Sequence, residues 1–361
     1  MKTKQKFFTC GKHLQFRMSC MIAATLLLGV ISDSAQSSQY LFTGTKTNVT
    51  LNPGLYQITA YGAQGGYYSH GARSYGGGGA EMEGEFNFTN VTTLTLLVGG
   101  TGQAADVYLG AGGGGGSFVV NGTTLLVIAG GGGGAADAQA MFSPDGGPGL
   151  TGENGGNGYS GVDGSGGSGG SGGAGGAGVG DPAAAGAGGG GYTGNGTNGG
   201  GIGGSSYMNG GAGGAGYYLN NYDSHGGYGG GGGCYEGGGG GGGYSGGGGG
   251  GALSGGGGGG SYIKSSAIAD LTEVSGVGSP DDSPNGEIII TVVHPPLCIS
   301  ESGNTVSVNW PAIPGWSLHQ NTNLANPSGW TASSGANTVN GTNYLNITAP
   351  TGSLFFRVQE Q

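Results

Sequence analysis

Residues 226–260 read GGYGGGGGCYEGGGGGGGYSGGGGGGALSGGGGGG, which makes this stretch the most glycine-rich part of the chain. A backbone without Cβ atoms loses more conformational freedom on ordering than any other backbone. It also buries almost no apolar side chain to offset that loss. The stretch is therefore either a flexible linker or a structure held together by backbone hydrogen bonds alone.

A bundle of polyglycine II helices is the ordered alternative. In this left-handed extended helix, with roughly three residues per turn, the N–H and C=O groups point sideways and make no internal hydrogen bonds. Glycine allows such helices to lie side by side and to bond to one another, so that buried backbone groups are paired. Hairpins next to the glycine runs favour the bundle over a linker, because a folded hairpin holds the ends of a run together and lowers the entropy cost of ordering it.

The charge of the chain argues against nucleic acid as a partner. Glycine accounts for 99 of 361 residues, charged residues for 8%, and the formal net charge is −10. Beyond residue 35, four basic residues (Lys46, Arg73, Lys264 and Arg357) stand against 18 acidic residues, which gives 4 − 18 = −14. A surface of this sign repels nucleic acid and anionic membranes.

Residues 1–35 are predicted to be a secretory signal peptide. A basic region precedes the apolar run Met21–Ile31, small residues follow it, and cleavage is expected near residues 34–36. The apolar run is too short to span a bilayer, and Cys20 precedes it rather than following it as a lipoprotein cysteine would. The mature chain is therefore expected to be secreted or held at the cell surface, without a transmembrane segment.

Strand patterns enclose a long glycine-rich segment. Residues 40–134 contain alternating strands such as Leu55–Tyr61, with glycine runs after the strand pairs, and strands resume over 261–293. This order predicts a mostly β glycine-rich domain over residues 36–294. Its expected architecture is a jelly-roll-like β-sandwich into which residues 135–260 are inserted as a bundle of polyglycine II helices.

A three-residue repeat supports the same helix. Glycine recurs at every third position from Gly146 to Gly176. Collagen has this period, but Pro148 is the only proline in the run, so a collagen triple helix is not expected. In a threefold helix the repeat places one glycine edge against a neighbouring segment.

The strands and glycine runs resemble a known extracellular domain family. Residues 53–66, PGLYQITAYGAQGG, are similar to the opening of the glycine-rich domain of the anaplastic lymphoma kinase and leukocyte tyrosine kinase receptors, and Leu97–Gly100, Leu126–Gly134 and Gly227–Ser245 match further blocks. The resemblance covers about residues 40–293. It implies an extracellular domain that joins a jelly-roll-like part to bundled polyglycine helices and binds a protein ligand. Glycine-rich tips of phage tail adhesins are also similar.

The resemblance does not extend to a kinase. The chain has no Val-Ala-Ile-Lys strand, no His-Arg-Asp loop and no Asp-Phe-Gly motif. Tyrosine kinase activity is therefore not carried over, since phosphoryl transfer needs those groups.

Residues 297–361 have a different composition, with all three tryptophans and little glycine. Short strand patterns predict a small β-sandwich, near the lower size limit for independent stability. The strands are expected at Thr305–Trp310, Trp316–Asn321, Gly329–Ala332, Tyr344–Thr348 and Leu354–Val358. Residues 308–311, 323–327 and 355–357 resemble a C-terminal module of secreted bacterial proteins, which implies secretion or attachment.

No catalytic residue and no cofactor are predicted. Ser245 lies in a GYSGG sequence that fits the hydrolase nucleophile elbow, but polyglycine replaces the strand and helix that the elbow needs. Ser168 and Ser171 match the pattern equally well by accident. Dinucleotide-type glycine spacings recur for the same reason and lack a strand–helix context.

No metal site is predicted either. One group of metal-ligand residue types comprises Asp223, His225, Cys234 and Glu236. Its spacing fits no zinc pattern, so these are expected to be polar residues at the ends of glycine segments. Asp281, Asp282 and Asn285 suit either a loose calcium site or, more commonly, a solvated turn. The remaining candidates, His70, His294 and His319, are isolated.

Two cysteines remain after export, Cys234 and Cys298. An oxidising compartment permits a disulfide between them. The alternative is two buried or isolated thiols, because pairing cannot be read from sequence.

Aromatic residues offer two candidate recognition surfaces. Trp310, Trp316 and Trp330 suit a sugar-stacking platform, although in so small a sandwich tryptophans are more often core. Several tyrosines flank glycine runs: Tyr61, Tyr67, Tyr68, Tyr75, Tyr228, Tyr235 and Tyr244. They either plug the ends of the glycine segments or present a recognition surface.

The sequence thus predicts a non-enzymatic extracellular binding or adhesion protein with a protein or surface glycan as its ligand. The alternative is a structural, glycine-rich matrix or surface protein. A carbohydrate-active enzyme is disfavoured, since no paired carboxylates lie on identifiable strand ends.

Overall fold

The structure is a computed structural model that describes residues 37–360 apart from 69–72, 105–108, 137–144, 163–165, 180–183 and 220–221. The predicted signal peptide, residues 1–35, and His70 lie outside the described residues. The chain divides into two compact units, made mainly of residues 36–292 and 293–361. We call them the glycine-rich unit and the C-terminal unit.

The strands of the glycine-rich unit form two five-stranded antiparallel sheets and one small hairpin. In chain order they are β1 (Ser37–Tyr40), β2 (Thr47–Leu51), β3 (Gly54–Tyr61), β4 (Gly79–Phe88), β5 (Thr92–Leu97), β6 (Ser117–Asn121), β7 (Thr124–Ala129), β8 (Tyr218–Leu219), β9 (Tyr222–Asp223), β10 (Tyr262–Ile263), β11 (Ala269–Val277) and β12 (Glu287–Val292). One sheet has the order β1-β12-β3-β4-β11 and the other β10-β7-β6-β5-β2. β8 and β9 pair with each other, and a single 3-10 turn covers Tyr207–Asn209.

The two large sheets share one hydrophobic core. Ile58, Met82 and Ile288 from the first sheet and Leu94 and Val127 from the second belong to the same buried cluster. The predicted β-sandwich is therefore confirmed. As expected, β10 and β12 return to the sheets after the glycine-rich segment; β11, which was not predicted, does so as well.

Local sequence explains these strands. In β4 the side chains of Met82, Phe86 and Phe88 are buried, while the glutamates between them are only half-buried. This alternation is the pattern of a strand with one face in a core. β6 and β7 form one of the hairpins expected next to the glycine runs. The turn between them contains Gly122 at a φ of 60°, a left-handed conformation that glycine adopts without strain.

Backbone hydrogen bonds join the glycine runs to one another. We define the glycine network as residues 62–66, 76–79, 99–102, 110–116 and 130–135 together with the described part of 145–260. Residues 237–243 lie inside it, and each donates its N–H to a neighbouring segment at 2.9–3.2 Å. The acceptors, in order, are the carbonyls of Ala184, Ser254, Ala111, Ala187, Gly257, Gly114 and Gly190.

These hydrogen bonds repeat at intervals of three residues. Gly238 and Gly241 bond to one neighbouring segment, whereas Gly239 and Gly242 bond to a second. The carbonyls of the same segment accept hydrogen bonds from still other segments, for example from Gly250 to Gly238. The interval is the one that a threefold helix requires. Assignment of the segments as polyglycine II helices remains a prediction.

Close backbone approach explains why the network needs glycine. A Cβ at Gly240 would overlap the carbonyl oxygen of Gly247, and most buried network positions are similarly blocked by backbone. The three-residue repeat of the sequence has the same cause. Cβ atoms at positions 155, 158 and 161 would overlap the carbonyl oxygens of residues 246, 249 and 252, so one glycine edge faces one neighbour.

The network is wider than the segment predicted for it. Glycine runs at 62–66, 110–116 and 130–135 bond into the same array as residues 237–260. The first two runs lie outside the predicted limits of 135–260, and so does all but the last residue of the third. Each run directly follows or precedes a strand, so the strands of the sandwich position these segments in the network.

The C-terminal unit is a small sandwich of two sheets. Its strands are β13 (Cys298–Ser302), β14 (Thr305–Pro311), β15 (Trp316–Asn321), β16 (Thr331–Ala332), β17 (Asn337–Val339), β18 (Thr342–Thr348) and β19 (Phe355–Glu360). The sheets have the orders β13-β14-β18-β17 and β16-β15-β19. Val308 and Trp310 from the first pack with Leu318 and Phe356 from the second, as the sequence predicts. Among the described residues, no helix has the length and hydropathy needed to cross a bilayer.

Candidate ligand-binding groove

A groove of about 790 Å³ lies in the glycine-rich unit, where β3 ends and where β4 and β12 begin. Residues from four segments line it: 64–68 after β3, 73–76 before β4, 101–104 after β5, and 283–284 before β12. Polar and aromatic side chains dominate the lining. Concave sites with a few convergent polar groups are the usual form of a ligand-binding site, so we take this groove as the candidate.

Strand pairing brings these segments together. Glu287, the first residue of β12, lies opposite Tyr61, the last residue of β3, so the residues before β12 lie beside those after β3. Gly62 donates a hydrogen bond of 2.9 Å to the carbonyl of Ala80, which places the start of β4 at the same end. The groove therefore collects loops from neighbouring strands.

The glycine network fixes the walls of the groove. Gly65 donates its N–H to the carbonyl of Gly77 at 3.0 Å, and Gly66 donates to Gly112 at 2.8 Å. A Cβ at Gly65 would overlap the carbonyl oxygen of Gly133. These close contacts restrict the backbone at residues 65 and 66, because the neighbouring backbones are bonded in turn.

Two tyrosines project from one wall. Tyr68 and Ser74 form an antiparallel bridge and are both fully buried. Side chains alternate across such a ladder, so Tyr67 and Tyr75, at the next pair of positions, face outward. Their side chains are 55% and 62% exposed. The alternation of buried and exposed tyrosines therefore follows from the strand geometry of this ladder.

Hydrogen-bonding groups surround the tyrosines. The side-chain amide of Gln64 donates to the hydroxyl of Ser283 at 2.8 Å, which leaves its Oε1 able to accept a further hydrogen bond. Thr101 donates its backbone N–H to Oδ1 of Asn285 at 3.0 Å and its hydroxyl to the carbonyl of Gln64 at 3.1 Å. The groove therefore offers both donors and acceptors to a polar ligand.

Arg73 is the basic residue of the groove. It is exposed, and its guanidinium has no hydrogen bond or ion pair with the residues that the structure describes. Close by, Oδ1 of Asp145 accepts the backbone N–H of Tyr75 at 2.8 Å. The groove thus combines one cation with a carboxylate that is already bound to its wall.

Glu287 is buried at the start of β12. Its Oε2 accepts the N–H of Asp281 at 3.1 Å, and its Oε1 has no partner in the described part of the chain. Burial raises the pKa of Glu287 above that of an ordinary glutamate; the hydrogen bond from Asp281 opposes this rise, whereas the charges of Asp281 and Asp282 add to it. Its carboxyl therefore takes up a proton more readily than an exposed one.

The seven tyrosines that flank glycine runs differ in exposure, which separates candidates for a recognition surface from candidates for plugging the glycine segments. Tyr67 and Tyr75 are exposed in the groove, as a recognition surface would require, and Tyr68 is buried. The others are half-buried against the network: Tyr61, Tyr228, Tyr235 and Tyr244. Tyr244, for example, lies with its ring centroid 5.0 Å from that of Tyr262.

The candidate metal ligands do not gather into a site. His225 accepts the N–H of Gly216 on Nδ1 at 2.8 Å, Cys234 is buried, and Glu236 is half-buried. The side chain of Asp223 lies outside the described part of the chain. Within the described ranges, no three His, Cys, Asp or Glu side chains are placed to hold a metal ion.

The residues considered for calcium instead bind loops together. Asp281 accepts a hydrogen bond from the side chain of Gln39 at 2.6 Å, and Asp282 accepts the N–H of Phe42 at 2.6 Å. Asn285 donates its N–H to the carbonyl of Asp282 at 2.8 Å. This arrangement agrees with the turn interpretation of these three residues.

The serines of the GxSxG matches lie in the glycine network. Ser245 is fully buried, and its hydroxyl accepts the N–H of Gly173 at 3.2 Å. Ser168 and Ser171 are exposed and accept hydrogen bonds on their backbone carbonyls from Ala177 and Ala174.

The tryptophans of the C-terminal unit do not form a common platform. Trp310 and Trp316 are only 4% and 7% exposed, which confirms the core interpretation for both. The guanidinium of Arg357 covers the ring of Trp330 at 4.4 Å. His294 lies edge-on to Trp316 with 4.9 Å between ring centroids, and His319 contacts the hydroxyl of Ser317 at 3.1 Å.

The two cysteines occupy different surroundings. Cys234 is buried in the glycine network, with its sulfur 3.7 Å from the carbonyl oxygen of Ser224. Cys298 is half-buried at the first residue of β13. The disulfide between them remains a prediction.

Comparison with known proteins adds no assignment. No protein-family model matches the chain, and no curated protein matches it at a significant level.

Sequence reasoning pointed to Tyr67 and Tyr75 but missed the residues that complete the groove. Arg73 and Ser283 lie in no motif, and Gln64 lies in the 53–66 block without being singled out there. The three residues meet only because of strand pairing. One signal was present in the composition. Arg73 is one of only three basic residues between positions 36 and 294, and it lies between two tyrosines that flank glycine runs.

Proposed function

We propose that this chain is an exported, non-enzymatic binding protein that acts outside the cell, in secreted form or at the cell surface. Its groove takes the ligand, and the glycine network serves as the rigid platform beneath it. The observation that carries the proposal is the exposure of Tyr67, Arg73 and Tyr75 on a wall whose backbone is bonded into the network.

Rigidity favours this role on physical grounds. Binding costs less free energy when loops do not have to be ordered by the ligand. Tyrosine adds contact area with few rotatable bonds and a hydroxyl for hydrogen bonding, which is why it is common at binding surfaces. An exposed pair of tyrosines on a fixed backbone therefore fits recognition better than it fits support of the fold.

Two features of the sequence support the proposal. The resemblance of about residues 40–293 to the glycine-rich domains of receptor tyrosine kinases implies ligand binding outside the cell. The apolar run Met21–Ile31 with its basic flank implies export. The proposed ligand is a protein or a surface glycan.

The test uses the purified mature chain, residues 36–361, on an array of surface glycans and in binding assays with extracts of extracellular proteins. We expect saturable binding that a Tyr67→Ala/Tyr75→Ala double variant weakens by about tenfold or more. Tyr159→Ala is the matched control, since Tyr159 is 41% exposed and does not line the groove. Absence of saturable binding in both assays, or equal loss in the control, would contradict the proposal.

A structural role in a matrix is the second candidate. β11 is an edge strand of its sheet. Leu271 and Val274 in it are 45% and 38% exposed, and Ile268, directly before it, is 49% exposed. Exposed apolar edges can pair with other chains. Register shifts at Asp270/Thr272 and Ser275/Val277 interrupt this edge, which opposes such pairing. Light scattering decides: assembly that rises with concentration supports the matrix role, and a monomer at all concentrations excludes it.

A further inference from the structure

We propose that the groove binds a glycan that bears a carboxylate, that is, a sugar acid of the uronic or sialic type. This inference rests on the proposed function and narrows its ligand to one chemical class. It arises from the combination of Arg73, two outward tyrosines and a ring of hydroxyl and amide groups in one groove.

Arg73 supplies the anion-binding group. A guanidinium presents a planar fork of N–H donors that matches the two oxygens of a carboxylate. The fork of Arg73 is exposed and has no partner among the described residues, although acidic residues greatly outnumber basic ones in this chain. A cation that is exposed and unpaired within the described ranges is available to a ligand.

Tyr67 and Tyr75 supply the surface for a sugar ring. Both side chains face outward from the same antiparallel ladder. An aromatic face offers apolar contact to the C–H groups of a pyranose, while the phenol hydroxyl stays available for hydrogen bonding. Gln64, Thr101 and Ser283 add hydrogen-bonding groups around them, as sugar hydroxyls require.

The groove fits a glycan better than the face of a protein. A stable protein interface buries about 800 Å² on each partner around an apolar centre. The groove instead has a volume of about 790 Å³, and among the described residues that line it no aliphatic side chain is larger than that of alanine or proline. A chain of a few sugars has the size and the polarity for such a site.

The ligand is expected to carry few charges. The mature chain has a formal charge of −14 by the count given above, and the carboxylate of Asp145 is bound to the groove wall at Tyr75. Long-range repulsion therefore acts against a densely sulfated or phosphorylated polymer. A single carboxylate in direct contact with Arg73 gains the paired hydrogen bonds while it adds little repulsion.

The test compares acidic oligosaccharides with neutral partners of the same shape. The probes are sialyllactose against lactose, and a trisaccharide with one terminal glucuronic acid against its carboxyl-reduced form, titrated calorimetrically into the mature chain. At least one acidic probe is expected to bind about tenfold more tightly than its neutral partner, because hydrogen bonds between charged groups are the strong ones. The two pairs distinguish sialic from uronic acid.

Variants assign the effect to the groove. Arg73→Gln should reduce the preference for the acid to within about twofold, and Arg73→Lys should restore part of it. Tyr67→Ala should weaken acidic and neutral probes alike, since it removes the stacking surface and not the charge. Lys264→Gln is the control for loss of a positive charge outside the groove. Circular dichroism of each variant verifies that it is folded.

The outcomes separate this inference from the proposed function. Equal affinity for acidic and neutral sugars, or binding of a protein alone, overturns the inference and leaves the binding role in place. Strongest binding to a heavily sulfated glycan with a steep salt dependence also overturns it. Failure of every probe, together with failure of the array and extract assays, overturns both.

Discussion

The glycine network and the C-terminal unit are stabilised in opposite ways. In the C-terminal unit, side chains such as Val308, Trp310 and Phe356 fill the space between two sheets. In the network, backbones lie so close that a Cβ at Gly240 would overlap a carbonyl oxygen, and N–H groups bond directly to neighbouring segments. The C-terminal unit excludes water by packing side chains together. The network excludes water because its backbones, without side chains between them, lie in direct contact.

A glycine-rich composition therefore does not by itself indicate disorder. Ordering glycine costs much backbone entropy. The network offsets this cost by pairing every N–H of residues 237–243 with a carbonyl of another segment. Strands before and after the glycine runs hold the ends of the runs, which lowers the remaining cost.

The largest effect is expected from loss of a core side chain in the C-terminal unit. Phe356 is 1% exposed, and Phe356→Ala should lower the free energy of unfolding of this unit by about 3–5 kcal/mol. Tryptophan fluorescence measures it selectively, because all three tryptophans lie in residues 297–361. Leu324→Ala, at a side chain 43% exposed, is the control and should change little. Similar losses for both would mean that side-chain packing does not hold this unit.

In the network, the addition of a single carbon atom should be enough to destabilise the fold. Gly240→Ala would force a Cβ against the backbone of Gly247, and we expect a loss of about 1–3 kcal/mol or more in chemical unfolding of the glycine-rich unit. Gly152→Ala is the matched control, since a Cβ there meets nothing within 4 Å. It should be neutral or slightly stabilising. Equal behaviour of the two variants would show that close backbone contact does not govern the network.

Hydrogen exchange compares the regions without mutation. The amides of Gly238–Gly243 bond to other segments, so they should exchange as slowly as those of β3 and β12, which pair within a sheet. Residues in turns of the same unit serve as the unprotected reference. Immediate exchange across 238–243 would indicate a flexible linker and remove the platform from the proposed function.

The two units should respond to mild acid in opposite directions. Burial and the charge of Arg357 lower the pKa of His319 below its usual 6.5, so the C-terminal unit should lose stability as the pH falls through 6.5. Burial raises the pKa of Glu287 above 4.5, so protonation is favoured in the folded glycine-rich unit, and its stability should rise as the pH falls towards 4.5.

Substitution isolates each contribution to this pH dependence. His319→Gln should flatten the response of tryptophan fluorescence unfolding near pH 6. Glu287→Gln should stabilise the glycine-rich unit at neutral pH and not at pH 4, with Oε1 of the new amide still able to accept the N–H of Asp281. Unchanged slopes in both variants would show that other groups control the acid response.

Strand positions were largely predictable, because alternation records which face is buried. The pattern at Leu55–Tyr61 became β3, and the pattern at Trp316–Asn321 became β15. β11 was missed, since most of its side chains are exposed at a sheet edge and Gly276 interrupts the alternation. The short and exposed β1 was missed for the same lack of an apolar face.

The arrangement of the network was not predictable beyond its three-residue period. Gly239 bonds to Ala111 and Gly240 to Ala187, yet nothing in a run of identical residues distinguishes one neighbour from another. The position of the groove could not be predicted from the sequence either. Tyrosines next to glycine marked one wall, but Gln64 and Ser283 meet only through the register of β3 and β12.

Because backbone amides hold the network together, its stability should depend only weakly on temperature. Exposure of apolar surface on unfolding raises the heat capacity, and exposure of peptide groups lowers it. Where segments such as 237–243 separate, mostly peptide surface meets water, so the two contributions partly cancel. Stability then varies little with temperature, and the weakening that hydrophobic cores undergo on cooling should leave this part of the molecule almost untouched.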